Sequence, residues 1–181
     1  MRQRLLLLIA IAVPILIADQ ATKAMVVERF GNAPEVVLET GAEGSAGILV
    51  AEGLLSIRPI PNPDLGASTG FLVRALLLGS SLLALVFLVW LTLGKRGMPS
   101  GAVVGLSALI GGAAGNLMDR LVRGHVLDWL HWHGPGTAGA SFTVGDVGIW
   151  SGVALLLVEL VRSHDGPLGQ PAATPPALPG V

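Results

Sequence analysis

The sequence predicts a mainly α-helical membrane protein with four transmembrane helices. It also predicts a small extracytoplasmic β-sheet segment between helices 1 and 2, and an interfacial segment between helices 3 and 4. Three observations lead to this fold class: 52% of the 181 residues are hydrophobic, only 13% are charged, and the apolar residues cluster in four segments. Soluble domains carry about 25% charged residues, so the charged fraction here is half the usual value.

The four apolar segments have the lengths of membrane spans. A helix needs about 20 residues, each rising 1.5 Å, to cross a hydrocarbon core of about 30 Å. Residues 75–93 and 101–118 meet this requirement on their own. Residues 5–27 and 142–161 meet it only if they include ionisable side chains near the membrane surface, namely Asp19, Lys23 and Asp146. We therefore expect these side chains to lie inside helices 1 and 4.

The connection between helices 1 and 2 is long, covering residues 27–71. Short runs of β-type residues alternate with glycine-rich stretches there, at residues 36–38, 48–50 and 54–57. This pattern predicts a small antiparallel sheet that lies on the membrane surface.

The connection between helices 3 and 4 has a different pattern. In residues 122–133, tryptophans alternate with basic and aliphatic residues, which predicts an interfacial helix or loop at headgroup depth. Residues 1–165 are expected to form one membrane domain. Five prolines in residues 166–181 predict a disordered tail.

Charge and cysteine content exclude several functional classes. The net charge is −1, and no basic stripe or aromatic platform suits a nucleic acid. Because the chain has no cysteine, it has no disulfide, no thiolate zinc site and no thiol nucleophile. The histidines between helices 3 and 4 lack metal-binding helical spacing, and we interpret them as headgroup-level polar residues: His125, His131 and His133. We expect neither a metal nor another cofactor.

Asp128 and Asp146 are the strongest candidates for chemistry. A carboxylate at a bilayer is costly, so each needs a partner or a function. The 17 residues between them include a Gly-Pro-Gly run at which the chain can turn back. Two converging carboxylates can share one proton and activate a water molecule. By spacing alone, such a dyad and two separately solvated acids fit the sequence equally well.

Further charged residues suggest supporting roles. Asp19 and Lys23 are four residues apart with the acid first, which favours an ion pair that neutralises both charges at membrane depth. Glycines spaced four apart in helix 3 predict close helix packing. That helix ends with Asn116, Asp119 and Arg120. We interpret Asp119 and Arg120 as a local ion pair, although the guanidinium can also hold a peptide carbonyl or a carboxylate.

Four sequence blocks carry a family resemblance. Residues 111–120 (GGAAGNLMDR) and 124–129 (GHVLDW) resemble the signature G-G-A-x-G-N-x-x-D-R…G-x-V-x-D-F of lipoprotein signal peptidase, also called signal peptidase II. Residues 19–23 (DQATK) are similar to its D-Q-x-T-K block, and residues 142–146 (FTVGD) to its F-N-x-A-D block. The order of the blocks and the four spans also match, so the resemblance covers nearly all of residues 1–161.

The resemblance implies an aspartic endopeptidase of the bacterial inner membrane. Its substrates would be diacylglyceryl-modified prolipoproteins, cut just before the lipidated cysteine, and the surface sheet would cradle them. The implied catalytic residues are Asp128 and Asp146. The implied substrate-binding or supporting residues are Asn62, Asn116, Asp119, Arg120 and Thr143. The implied structural pair is Asp19 and Lys23.

Two blocks depart from the family pattern. The N-x-G-x-A-F-G block is matched in a lengthened form by residues 62–71, so that Asn62 stands for the substrate-contacting asparagine. Thr143 stands where the family has asparagine, and Gly145 where it has alanine. We expect a monomer whose partners are the lipidated substrate and membrane lipids. Lys95 and Arg96 in a tight turn favour an orientation with both termini in the cytoplasm.

Two other functions use the same residues. One is a catalytically inactive relative that acts as a membrane scaffold, which the two departures suggest. The other is a small proton-coupled carrier. Carriers tend to place their sites near the bilayer midplane within repeated halves, whereas both candidate acids here lie near one surface and no repeat is visible.

Overall fold

The computed structural model describes five stretches of the chain: residues 1–31, 48–51, 54–62, 70–133 and 139–164. Its helices are α1 (Arg2–Phe30), α2 (Phe71–Gly94), α3 (Ser100–Val122) and α4 (Val144–His164). Its strands are β1 (Ile48–Ala51), β2 (Leu55–Asn62), β3 (Val126–Trp132) and β4 (Ala140–Phe142). All four helices are long and apolar enough to cross a membrane, which confirms the predicted spans.

Helix α3 lies at the centre of the helical layer. In its most apolar stretch 61% of the residues are buried, whereas the corresponding value is 17% or less in α1, α2 and α4. Most apolar side chains of the other three helices therefore face outward, as a lipid environment requires. Polar side chains at the end of α3 are consequently held among neighbouring helices.

Glycines bring α3 into backbone contact with two neighbours. A Cβ atom at Gly105 would lie 2.9 Å from the Gly152 carbonyl oxygen of α4, and one at Gly112 would overlap the Gly145 carbonyl. On the opposite face, a Cβ at Gly111 would lie 2.7 Å from the carbonyl oxygen of a residue in α1. Only glycine is compatible with these approaches, so the close packing predicted for helix 3 is present.

The four strands form one antiparallel sheet in the order β1-β2-β3-β4. The predicted sheet between helices 1 and 2 is thus confirmed for β1 and β2, while the β-type run at residues 36–38 lies outside the described residues. The helix or loop predicted for residues 122–133 is wrong, because β3 forms there. Its β-branched and aromatic residues suit a strand, and β2 offers an edge that needs a partner. The proline-rich tail also lies outside the described residues.

Two local features set the direction of β3. Gly124 has a φ of 78°, which an L-residue with a side chain rarely adopts, and it turns the chain from α3 into the strand. Strand β2 then bulges opposite Trp129, since Ile57 pairs with Leu130 but Ile60 pairs with Asp128. A bulge changes the direction in which neighbouring side chains point.

Candidate active site

Thr143 and Asp146 form a reciprocal capping arrangement at the start of α4. The Thr143 hydroxyl accepts a hydrogen bond from the Asp146 amide (3.1 Å). The Asp146 Oδ2 atom in turn accepts from the Thr143 amide (2.8 Å) and from its hydroxyl (3.0 Å). This is a capping box with aspartate in place of the usual glutamate. Because Thr143 is only 2% exposed, the box fixes the orientation of the Asp146 carboxylate.

Asn116 of α3 holds the second oxygen of that carboxylate. Its Nδ2 atom donates to Asp146 Oδ1 at 2.9 Å. The Asn116 Oδ1 atom accepts a hydrogen bond from the ammonium group of Lys23 at 3.3 Å, so the side-chain amide bridges a cation and an acid. Both carboxylate oxygens of Asp146 are therefore held by named donors.

Asp128 lies on β3 beside the β2 bulge and is 5% exposed. The residue before it, Leu127, donates its amide to Asp119 Oδ2 at 3.1 Å. Asp119 and Asn116 are three residues apart on α3 and lie on the same face of one helical turn. The segment carrying Asp128 and the side chain of Asp146 are thus attached to the same turn of α3, from two different elements.

A buried charged cluster supports this turn. The Lys23 ammonium nitrogen lies 2.7 Å from Asp19 Oδ2 and 2.7 Å from Asp119 Oδ2, and all three side chains are fully buried. Arg123 forms a second ion pair with Asp119. Gln20 Nε2 donates to both carboxylates, at 3.1 and 3.2 Å. Buried charges are tolerated when they are paired in this way.

The predicted local pair between Asp119 and Arg120 is wrong. Adjacent residues on a helix point in different directions, whereas residues four apart share a face, so Asp119 pairs with Arg123. Arg120 is half-buried and donates from Nη1 to the Asn116 carbonyl oxygen at 3.2 Å. Its guanidinium therefore lies at the end of α3 that carries the candidate site.

Asn62 lies at the end of β2, and its backbone pairs with Val126 at the start of β3. Its side chain is outside the described part of the chain. The strand pairing brings the Asn62 backbone to the same end of the sheet as the Asp128 segment.

His131 in β3 and His133 directly after the strand lie at the other end of β3 from Asn62. The rings of His131 and His133 pack edge to face, with their centroids 4.4 Å apart. Ser56 is hydrogen-bonded to His133 at 2.9 Å, and Ser141 to His131 at 3.1 Å. Burial lowers the pKa of His131 below its usual value of 6.5, and the charges of Arg58 and His133 lower it further. His125 lies in the turn before β3.

Three groups that contribute to this site are outside the set predicted from the sequence, namely Gln20, Arg123 and the amide of Gly145. Gln20 lies inside the DQATK block and was not considered separately. Arg123 was missed, although its four-residue spacing from Asp119 was a readable signal. The Thr-x-x-Asp spacing of a capping box was also readable. The amide of Gly145, which donates to Asp19 Oδ1 at 2.7 Å, had no sequence signal because the partners are 126 residues apart.

Comparisons with known proteins identify the family of this chain. The family model described as Signal peptidase (SPase) II matches residues 11–162. The lipoprotein signal peptidase of Ralstonia nicotianae is 38% identical over 96 residues, covering 53% of this chain and 55% of that protein. That of Syntrophus aciditrophicus is 29% identical over 91% of this chain and 98% of its own. In the Ralstonia and Methylobacterium matches, the chain spans about half the length of the curated relative.

Solved structures show the same fold. A bacterial membrane enzyme determined by the in meso method superposes with a TM-score of 0.69 at 21% identity, over 96% of both chains. A second structure of this description gives a TM-score of 0.67 at 22% identity, over 90% of this chain and 94% of the other. With four helices of spanning length and a match over residues 11–162, this bacterial membrane protein belongs to the Signal peptidase (SPase) II family.

Proposed function

We propose that the chain is an aspartic endopeptidase that removes signal peptides from diacylglyceryl-modified prolipoproteins, cutting before the lipidated cysteine. Family membership supports this substrate class, since the matching relatives are named lipoprotein signal peptidases. The observation that carries the proposal is the attachment of both aspartate segments to one turn of α3. Two unrelated interfacial acids need no common anchor.

Asp128 and Asp146 act as a pair in the proposed reaction. One, ionised, takes a proton from water as the water oxygen attacks the scissile carbonyl carbon; the other, protonated, donates to the carbonyl oxygen. Collapse of the tetrahedral intermediate then breaks the C–N bond, and the dyad returns a proton to the leaving amine. Only water and two carboxyl groups are needed. Asn116 and Thr143 serve this step by holding the Asp146 carboxylate in one orientation.

Arg120 and Asn62 are the proposed substrate contacts. The guanidinium is a rigid fork of donors that suits a peptide carbonyl, and Arg120 lies one turn beyond Asn116 on α3. Asn62 ends the strand that pairs with β3. The lipid chains of the substrate would remain in the bilayer beside the outward-facing apolar helices.

We place the protein in the bacterial inner membrane as a monomer, with residues 1–165 forming the peptidase domain and membrane lipids around it. The turn between α2 and α3 carries Lys95 and Arg96, whereas the candidate site lies at the opposite end of α3. Basic turns favour the cytoplasmic side. Both termini are therefore cytoplasmic in this proposal, and the site faces outward.

The test is cleavage of a purified diacylglyceryl-modified prolipoprotein by the full chain in proteoliposomes, followed as a gel shift. Asp128→Asn and Asp146→Asn each lower the rate by at least about a hundredfold, because each removes an essential acid or base. The exposed Glu28→Gln on α1 is the matched control and keeps full activity. The wild-type pH–rate profile is bell-shaped.

Turnover in either folded aspartate variant contradicts the dyad. If the folded wild type cleaves nothing, the inactive-scaffold alternative gains support instead. Proton-dependent solute uptake by the same vesicles, without cleavage, favours the carrier.

A further inference from the structure

Two buried carboxylates each accept a backbone amide from the same position relative to a proposed catalytic aspartate. Asp19 Oδ1 accepts the amide of Gly145 at 2.7 Å, and Asp119 Oδ2 accepts the amide of Leu127 at 3.1 Å. In each case the amide belongs to the residue directly before one aspartate of the proposed dyad. Both accepting side chains are fully buried, so no water competes for these bonds.

One cation joins the two carboxylates. Lys23 Nζ lies 2.7 Å from an oxygen of Asp19 and 2.7 Å from an oxygen of Asp119, and its side chain is fully buried. Gln20 Nε2 forms a second, uncharged link between the same two side chains. With Arg123 paired to Asp119, two negative charges meet two positive ones, so the cluster is neutral as a whole.

We propose that Asp19, Lys23 and Asp119 form a hydrogen-bonded bridge that sets the separation of the two catalytic aspartates through the amides of Gly145 and Leu127. This inference rests on the proposed function. The three residues touch neither substrate nor water in the reaction, and they are positioning residues.

The physical reason is the geometry of the peptide bond. An amide hydrogen bond fixes the plane of the peptide group that ends at Gly145 or at Leu127. Only the φ and ψ angles of that one residue then separate the fixed plane from the aspartate that follows it. One bridge that holds both amides therefore fixes the relative placement of two side chains from different elements. A displacement of about 1 Å at a reacting group can cost about a hundredfold in rate.

The test compares two variants that differ only in the acceptor offered to Leu127. Asp119→Asn/Arg123→Gln removes one charge of each sign and keeps an oxygen for the amide. Asp119→Ala/Arg123→Gln has the same charge but no acceptor. Both are assayed as full chains in proteoliposomes with the diacylglyceryl-modified prolipoprotein, over the full pH range.

The asparagine variant is expected to retain the wild-type pH profile. In the alanine variant kcat falls by about a hundredfold, while KM stays unchanged because the bridge does not touch substrate. Its bell-shaped profile also narrows, since two carboxylates that move apart share a proton less strongly. The rate of hydrogen exchange rises at the Leu127 amide, which has lost its acceptor. It also rises at the Gly145 amide, because Lys23 loses its partner on α3 and holds Asp19 less firmly.

Ser107→Ala is the control for simple destabilisation. It removes a fully buried hydroxyl that bonds to the Val103 carbonyl within α3, far from the bridge, and it leaves the profile unchanged. A folded alanine variant with wild-type kcat and profile overturns the bridge. If the alanine variant does not fold, the asparagine variant decides: a folded asparagine variant whose pH–rate profile is narrower than that of the wild type also overturns the bridge. The bridge proposal can fail while the proposed function stands. This is the outcome if the alanine variant behaves as the wild type but Asp128→Asn and Asp146→Asn are still inactive.

Discussion

At the residue scale, Thr143 caps helix α4 at the position where the family pattern has asparagine. Both residue types accept a hydrogen bond from a helix amide and serve as N-caps. The hydroxyl of Thr143 does more, because it also donates to the Asp146 carboxylate at 3.0 Å. The departure from the family block thus preserves the cap and keeps a donor on the candidate catalytic acid.

Substitution of Thr143 tests this interpretation. Thr143→Val keeps the shape but removes the hydroxyl, and we expect it to lower the free energy of unfolding by about 1 kcal/mol through loss of the cap. It also lowers kcat by about tenfold or more, because the Asp146 carboxylate loses one of its restraints. Thermal unfolding in detergent and the prolipoprotein assay measure the two effects.

Thr143→Asn provides the matched comparison. It restores the family residue and keeps a cap, so both stability and kcat stay close to the wild type. Equal losses in the valine and asparagine variants would contradict this interpretation, because only the valine variant removes the cap.

The candidate site also shows, residue by residue, what a sequence can reveal. Spacings within one helix or one turn were readable, and the ion pair of Asp19 with Lys23 is present as such a spacing predicts. The hydrogen bond between Asp19 and Gly145 joins α1 to α4, and local periodicity holds no information about such partners. The same limit applies to the second partner of Lys23 on α3.

At the scale of elements, β3 illustrates how tertiary context determines structure. The pattern of residues 126–132 combines apolar, aromatic and polar side chains, which suits either an interfacial helix or a half-buried strand. The neighbouring β2 decides between them, because its backbone groups need partners. Predicting β3 would have required knowing that two distant connections lie side by side.

The glycine contact between α3 and α4 leads to a prediction at the same scale. In Gly112→Ala the new methyl group overlaps the Gly145 carbonyl, one residue before Asp146. We expect a loss of about 1–3 kcal/mol in the free energy of unfolding, as for other overpacked sites. Activity falls as well, because α4 must move away from α3 near the dyad.

Gly79→Ala is the control for this substitution. Gly79 is also a helical glycine, but a Cβ there would meet no atom within 4 Å. It is expected to leave thermal unfolding and cleavage unchanged. A stable, fully active Gly112→Ala variant would contradict the assigned helix contact.

At the scale of the whole molecule, the proposed orientation is open to direct chemical labelling. The chain has no cysteine, so single cysteines report without background. Leu54→Cys lies in the exposed turn between β1 and β2, and Ser100→Cys at the exposed start of α3. A membrane-impermeant maleimide labels the first in intact spheroplasts and the second only after lysis. The reverse pattern would invert the proposed orientation.

The four membrane spans were predictable at this scale, whereas the arrangement of the helices was not. Hydropathy identifies a span because lipid requires apolar side chains, and it identified all four helices. It says nothing about which helix is central, and here the least apolar one is enclosed by the others.

The enclosed position of α3 has a consequence for biosynthesis. The ribosome produces α3 before α4, so for a time the glycine face that α4 later covers has no protein neighbour. The nascent chain at that stage also lacks Asp146 and the amide of Gly145. Helix α4 therefore completes the packing against α3, the buried charge network and the proposed dyad together, and none of the three can form before α4 has been synthesised.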